Sequence, residues 1–70
     1  MNVATAPIRA GEYVAADGSH MTGRITGDHW FGFWAHRLDG ARVGHYATLE
    51  AAAEVLALEF KLHYGEEAGA

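Results

Sequence analysis

One segment of this chain, residues 48–64, reads as a helix that carries two separate apolar stripes. Because each helical residue turns by about 100°, the first stripe lies on one face of the helix and the second lies nearly opposite. The first stripe comprises Leu49, Ala52, Ala53, Leu56, Phe60 and His63, and the second comprises Ala51, Val55, Leu58 and Leu62. A chain of 70 residues has enough material to cover only one of them. We therefore predict that Val55, Leu58 and Leu62 contact a partner or a second copy of the chain, as in a homodimer.

Ahead of this helix, the chain alternates short strand candidates with turn signals. Turn-forming Asp-Gly or Gly-Asp dipeptides, which tolerate positive φ, occur at residues 17–18, 27–28 and 39–40. Strand candidates flank them at residues 12–16, 21–26, 29–37 and 42–46. Such spacing is typical of hairpins. The sequence thus predicts an α+β fold, in which an antiparallel meander of three or four strands packs one face against a single C-terminal helix.

The ends of the helix and of the domain are also signalled. The hydroxyl of Thr48 is placed to accept a hydrogen bond from an amide of the first helical turn, and Gly65 is placed as the C-terminal cap. The length allows one domain, residues 1–70, and we expect residues 1–7 and 66–70 to be frayed.

The segment 29–37 is the strongest strand candidate, and it carries aromatic rings on both faces. Side chains alternate between the faces of a strand, so Phe31 and Phe33 point one way while Trp30 and Trp34 point the other. If the helix covers the two phenylalanines, the tryptophans stand on the open face of the sheet. The predicted core is Val14, Met21, Ile25, Phe31, Phe33, Val43, Leu49, Ala53, Leu56 and Phe60. The reverse arrangement, with the tryptophans inward, stays open.

The net charge of −4 is unevenly distributed. Between residues 8 and 46 the acidic and basic residues balance, whereas the segment from residue 48 onward contains five glutamates and one lysine. An acidic helix repels a phosphate backbone and attracts a basic protein surface. Glu50, Glu54 and Glu59 are therefore predicted to steer association with a basic partner, and Trp30 and Trp34 to anchor it.

No group of residues indicates catalysis or a cofactor. The five histidines are widely spaced, without the close pairs that zinc sites use, and the absence of cysteine removes disulfides and thiolate sites. We expect no catalytic residue, no metal and no cofactor. The first ten residues lack a signal-peptide pattern, and no apolar run approaches the ~20 residues of a membrane span. A cytoplasmic protein without membrane contact is therefore expected.

Residues 30–60 resemble the three-strand-plus-helix DNA-binding domain of plant ethylene-response factors and the arm-binding domain of phage integrases. The resemblance rests on the aromatic strand, the turn at residues 39–40, the short strand VGHY at residues 43–46 and the helix start TLEAA at residues 48–52. In that family, strand arginines and tryptophans dock in the major groove, which would carry over to Arg24, Trp30, Trp34 and Arg42. Those domains are basic, whereas this chain is neutral in its strands and acidic in its helix. Nucleic-acid binding is therefore the alternative interpretation.

A second resemblance is one of type. A tiny, acidic, cysteine-free chain with surplus apolar surface and no catalytic set is similar to the inhibitors that phages and mobile elements encode, anti-CRISPR proteins among them. Such inhibitors bind positively charged nucleic-acid channels on large complexes. The resemblance implies a non-enzymatic protein-binding module whose partner is a basic protein surface, for example on a CRISPR effector complex.

Overall fold

The computed structural model describes residues 3–62, which form five strands and one helix. The strands are β1 (Val3–Arg9), β2 (Glu12–Asp17), β3 (His20–Asp28), β4 (Gly32–Arg37) and β5 (Arg42–Tyr46), and the helix is α1 (Leu49–Phe60). The strands form one sheet in sequence order, and each pairs antiparallel with the next. The predicted α+β class and antiparallel sheet are confirmed, with five strands rather than three or four.

The additional strand is β1, in a segment for which the sequence suggests fraying. It pairs with β2 from Val3 opposite Asp17 to Arg9 opposite Glu12, with one irregularity between Pro7 and Arg9. The two alanines and the proline of this segment have low strand propensity and interrupt its Val, Thr and Ile, so the pattern does not reveal the strand. The strand is stabilised by its backbone pairing with β2 and not by the local preference of its residues.

The aromatic strand starts later than its pattern predicts. Residues 29–31 form the turn between β3 and β4, because one oxygen of Asp28 accepts hydrogen bonds from the amides of Trp30, at 3.0 Å, and Phe31, at 2.9 Å. An aspartate that bonds the amides following it favours a turn over a strand. Phe31 is therefore 84% exposed, and its predicted place in the core is wrong.

The helix begins where the sequence predicts. The Ala51 amide donates to the Thr48 hydroxyl at 3.1 Å, as expected of an N-cap. The helix ends at Phe60, and the amide of Lys61 donates to the carbonyls of Ala57 and Leu58. The predicted extension beyond residue 62 and the Gly65 cap lie outside the described residues. In the part of the chain from residue 3 to residue 62, no helix is long and apolar enough to cross a membrane.

The core lies between α1 and one face of the sheet. Its buried residues are Ala15, Ile25, Phe33, Ala35, Ala52, Ala53 and Leu56. Ile25, Phe33, Ala53 and Leu56 are buried as predicted, Val43 and Leu49 pack against the core, and Phe60 is half-buried. Val14 pairs with Arg24 on the sheet face turned away from α1, so its predicted place in the core is wrong. Small side chains let the helix approach closely: a Cβ at Gly23 would collide with the Leu56 side chain and the His36 carbonyl.

Met21 is a further error in the predicted core. Ala15 pairs with Gly23 while Ala16 pairs with Met21, so β3 carries one extra residue, Thr22, at this point. A bulge of this kind breaks the alternation of side chains between the two faces. Thr22 is buried, and Met21 is 48% exposed. A bulge depends on how two strands pair, so the alternation of residues within one strand does not predict it.

Candidate binding surface

The sheet face turned away from α1, here called the open face, carries aromatic and charged side chains. Phe33 is buried against the helix side, and its neighbour Trp34 emerges on the other. The cross-strand pairs extend this face over the remaining strands. Its central residues are Glu12, Arg24, Thr26, Trp34, His36, Arg42 and His45.

Trp34 is at the centre of the open face and has charged and aromatic neighbours. The guanidinium carbon of Arg42 lies 4.5 Å from the Trp34 ring centroid, a cation–π contact. The His45 ring centroid is 4.6 Å from that of Trp34. Trp34 remains 39% exposed. These contacts hold the indole and the guanidinium in fixed positions while both stay accessible.

Polar pairs order the rest of the open face. Glu12 forms ion pairs with Arg24 at 3.1 Å and with Arg9 at 3.3 Å. Thr26 Oγ1 and His36 Nε2 are 3.0 Å apart, within hydrogen-bond distance. The Glu12 carboxylate is mostly covered, whereas both guanidiniums are largely exposed. The arginines are thus tethered and still present their donors to solvent.

Two aromatic residues extend from one end of this face. Trp30 and Phe31, here called the aromatic tip, occupy the β3–β4 turn and are 81% and 84% exposed. Asp28 fixes their amides, and Nε2 of His45 lies 2.8 Å from the Phe31 carbonyl oxygen. The turn is held at both ends, so the two rings are presented by an ordered backbone.

The sequence predicted part of this surface. Trp34 lies on the open face as expected, and Arg24 and Arg42 share that face with it. Trp30 is exposed, but on the tip rather than on a strand. Phe31, Arg9 and His45 also contribute, and sequence reasoning missed them. The sequence did contain a signal that Phe31 lies in a turn. Asp28 and Gly32 are turn-forming residues on either side of it, and Gly32 begins β4 with a φ of +91°.

The acidic residues expected at the same interface lie elsewhere. Glu50 and Glu54 project from α1, on the opposite side of the sheet from Trp34, and Glu59 is half-buried on the same helix. The structure does not bring these glutamates together with the tryptophans. Charge therefore differs between the two layers: Arg9, Arg24 and Arg42 lie toward the open face together with Glu12, and Glu50, Glu54 and Glu59 lie on the helix.

The second apolar stripe of α1 is only partly covered. Val55 is half-buried, whereas Leu58 is 53% exposed and Leu62 is 74% exposed. The first stripe faces the sheet through Ala52, Ala53 and Leu56, as its spacing predicts. His63, its last predicted member, lies outside the described residues.

The titratable groups of residues 3–62 form no metal-binding cluster. No three His, Cys, Asp or Glu side chains of this part of the chain are grouped so as to hold a metal ion. Within the described residues, the pKa of the Asp39 carboxyl departs clearly from its ordinary value. The Ala41 amide donates to Asp39 at 2.9 Å, and this bond, with Arg37 alongside, lowers the pKa of the Asp39 carboxyl. Asp39 lies in the β4–β5 turn, which its bond to the Ala41 amide closes.

In comparisons with known proteins, no protein-family model, no curated protein and no solved structure matches this chain.

Proposed function

We propose that this protein is a non-enzymatic protein-binding module, and that the aromatic tip anchors it to its partner. The exposure of Trp30 and Phe31 carries this proposal. Two adjacent large apolar side chains, each more than four-fifths exposed on an ordered turn, form a patch of the kind that soluble proteins use for contact. Aromatic residues are also enriched among the side chains that dominate binding energy.

The open face extends this contact area. Tryptophan and arginine are typical of interface hot spots, and Trp34 and Arg42 are already positioned by their mutual contact. Side chains ordered before binding lose less conformational entropy when they bind. The tip and the open face together form one surface that fits an apolar pocket bordered by polar groups on the partner.

The proposal retains a basic protein partner of the kind bound by phage and mobile-element inhibitors, such as a CRISPR effector complex. Glu50, Glu54 and Glu59 lie on the layer opposite the open face. Steering acts through the summed field and needs no direct contact, although it weakens beyond a Debye length of about 8 Å at physiological salt. The net charge of −4 would then raise the association rate with a basic partner, while the tip determines the dissociation rate.

Alanine substitutions at the tip test this proposal. Trp30→Ala and Phe31→Ala should fold normally, because surface substitutions change stability by only about 0.5 kcal/mol. Leu38→Ala is the matched control, since Leu38 is 44% exposed in the β4–β5 turn at the other end of the strands. Partners are captured from a bacterial lysate, and their affinities are then measured by titration calorimetry. The tip variants should lose about 30-fold in affinity, and equal binding by all three variants would contradict the proposal.

Nucleic-acid binding is the second candidate, and the sorting of charge by layer favours it. Arg24 and Arg42 share the open face with Trp34, while the helical glutamates point away from anything bound there. A gel-shift series with duplex and single strands at low salt tests it. Each of Arg24→Ala and Arg42→Ala should reduce the salt slope by about 1. Arg37→Ala is the control because Arg37 pairs with Asp39 in a turn. Absence of binding at low salt would eliminate this candidate.

A further inference from the structure

A groove runs between the outer edge of β1 and the first turns of α1. It contains a cavity of about 160 Å³ lined by Val3, Ala4, Thr5, Glu50, Ala53 and Glu54. Small-molecule sites usually measure about 300–1,000 Å³, so this cavity has room for one side chain rather than for a cofactor. It lies on the helix side of the sheet, apart from the open face and the aromatic tip.

One wall of the groove is an edge strand. β1 is the first strand of the sheet and pairs with β2 alone among the strands of residues 3–62. The outer edge of such a strand presents backbone donors and acceptors that another extended chain can pair with. Pro7 has no N–H to offer, which confines a full ladder to residues 3–6.

The other wall of the groove is acidic. Glu50 and Glu54 are exposed, and neither forms an ion pair within the described residues. Glu50 in the first helical turn suits the helix dipole, but Glu54 is one turn further on, where that effect has faded. A lysine or arginine of another molecule would therefore complement this wall.

We propose that this groove binds an extended basic segment of a partner protein, which adds to the sheet as a sixth strand beside β1. Alternate side chains of an added strand point to the same face. One lysine or arginine of the segment would then enter the cavity and meet Glu50 and Glu54, while its neighbours point to the opposite face. The inference rests on the proposal that this protein binds other proteins, and it assigns a second contact surface that is independent of the tip.

Short synthetic peptides test the inference on the full chain. The probe is an acetylated and amidated heptapeptide that alternates lysine with threonine or valine. Binding is followed by fluorescence anisotropy and by amide chemical shifts. The peptide should bind, with the largest shifts at residues 3–6 and in the first turns of α1. A heptapeptide with glutamate in place of lysine should not bind. A version methylated on alternate backbone nitrogens should bind at least tenfold more weakly, because it cannot form the ladder.

The glutamates are tested with a control that also removes a carboxylate. Glu50→Gln together with Glu54→Gln should weaken peptide binding by about threefold to tenfold at low salt. Asp39→Asn, which lies in the β4–β5 turn outside the groove lining, should leave it within twofold. Trp30→Ala should bind the peptide like the unaltered protein, so loss of the tip function and loss of the groove function are distinguishable.

Three results would overturn the inference. The first is equal binding of the methylated and unmethylated peptides. The second is no effect of the double glutamine variant. The third is a set of shifts at residues 3–6 that depends on protein concentration and not on peptide, which would show that a second copy of the chain occupies the edge.

Discussion

Gly32 lies beneath the His45 ring, where β4 begins, and its φ of +91° is a conformation that other residues rarely adopt. A Cβ at this position would collide with that ring. Gly40 has the same φ in the β4–β5 turn, but a Cβ there would meet nothing within 4 Å. An alanine at Gly40 would therefore suffer backbone strain alone, whereas an alanine at Gly32 would suffer the same strain and also a collision with His45.

We predict that Gly32→Ala is more destabilising than Gly40→Ala. Both variants lose about 1–2 kcal/mol from the left-handed backbone. Gly32→Ala loses a further ~1–3 kcal/mol because His45 must move. The free energy of unfolding, measured by denaturant titration, checks both values. Equal losses in the two variants would show that His45 relaxes at no cost.

A second residue-scale prediction concerns Asp39. The backbone amide of Ala41 donates a hydrogen bond to this carboxyl, and this bond lowers its pKa below the ordinary 3.8. The positive charge of the neighbouring Arg37 lowers the pKa further. A lowered folded-state pKa contributes stability that is present above the unfolded-state pKa and is lost as pH falls through the folded-state pKa. Asp39→Asn should therefore be less stable than the unaltered protein at neutral pH, and the difference should shrink below about pH 4. Thermal unfolding across a pH series measures it, and a difference that persists undiminished in acid would contradict this assignment.

At the scale of secondary-structure elements, the sequence predicted what depends on local chemistry. Thr48 as the N-cap, the Asp39-Gly40 turn and the strand at residues 42–46 all follow from side chains acting on their own backbone. The buried stripe of α1 follows from helical period alone.

What the sequence did not reveal depends on contacts between strands. β1 is held by its pairing with β2, and the bulge at Thr22 exists only in relation to its neighbour strand. The open face illustrates the same limit. Arg9, Arg24 and Arg42 are far apart in the chain, and only strand register shows that they share a surface on which Glu12 is paired. Charge counted along the sequence could not show this sorting.

The helix cap provides a prediction at the element scale. Thr48→Ala removes the hydroxyl that accepts from the Ala51 amide, and it should cost about 1 kcal/mol in the free energy of unfolding. Thr48→Ser keeps that acceptor and serves as the control, with an expected change of only a few tenths. Circular dichroism during chemical denaturation measures both variants. A serine variant as unstable as the alanine variant would show that the cap bond contributes little.

At the scale of the whole molecule, the exposed part of the second apolar stripe of α1 leads to a prediction about the oligomeric state. Leu58 and Leu62 are exposed beside half-buried Val55. Burial of each such side chain contributes roughly 1.5–3 kcal/mol before the costs of association are subtracted. We predict that the protein self-associates through this stripe and that Leu58→Glu yields a monomer. Light scattering coupled to size exclusion measures the mass. A monomeric unaltered protein would refute self-association through the stripe.

The meander order of the sheet allows the strands to pair in the order in which they are synthesised. Each strand pairs with the one synthesised just before it, and hairpins form in about 1–10 μs. Translation proceeds at roughly 5–20 residues per second, so Phe33 precedes Leu56 by about a second or more. During that interval Ile25 and Phe33 have no helix to cover them, because their cover is α1. The core therefore closes only after α1 has been made and has docked, and a chain that ends before Leu56 should leave Ile25 and Phe33 open to proteases.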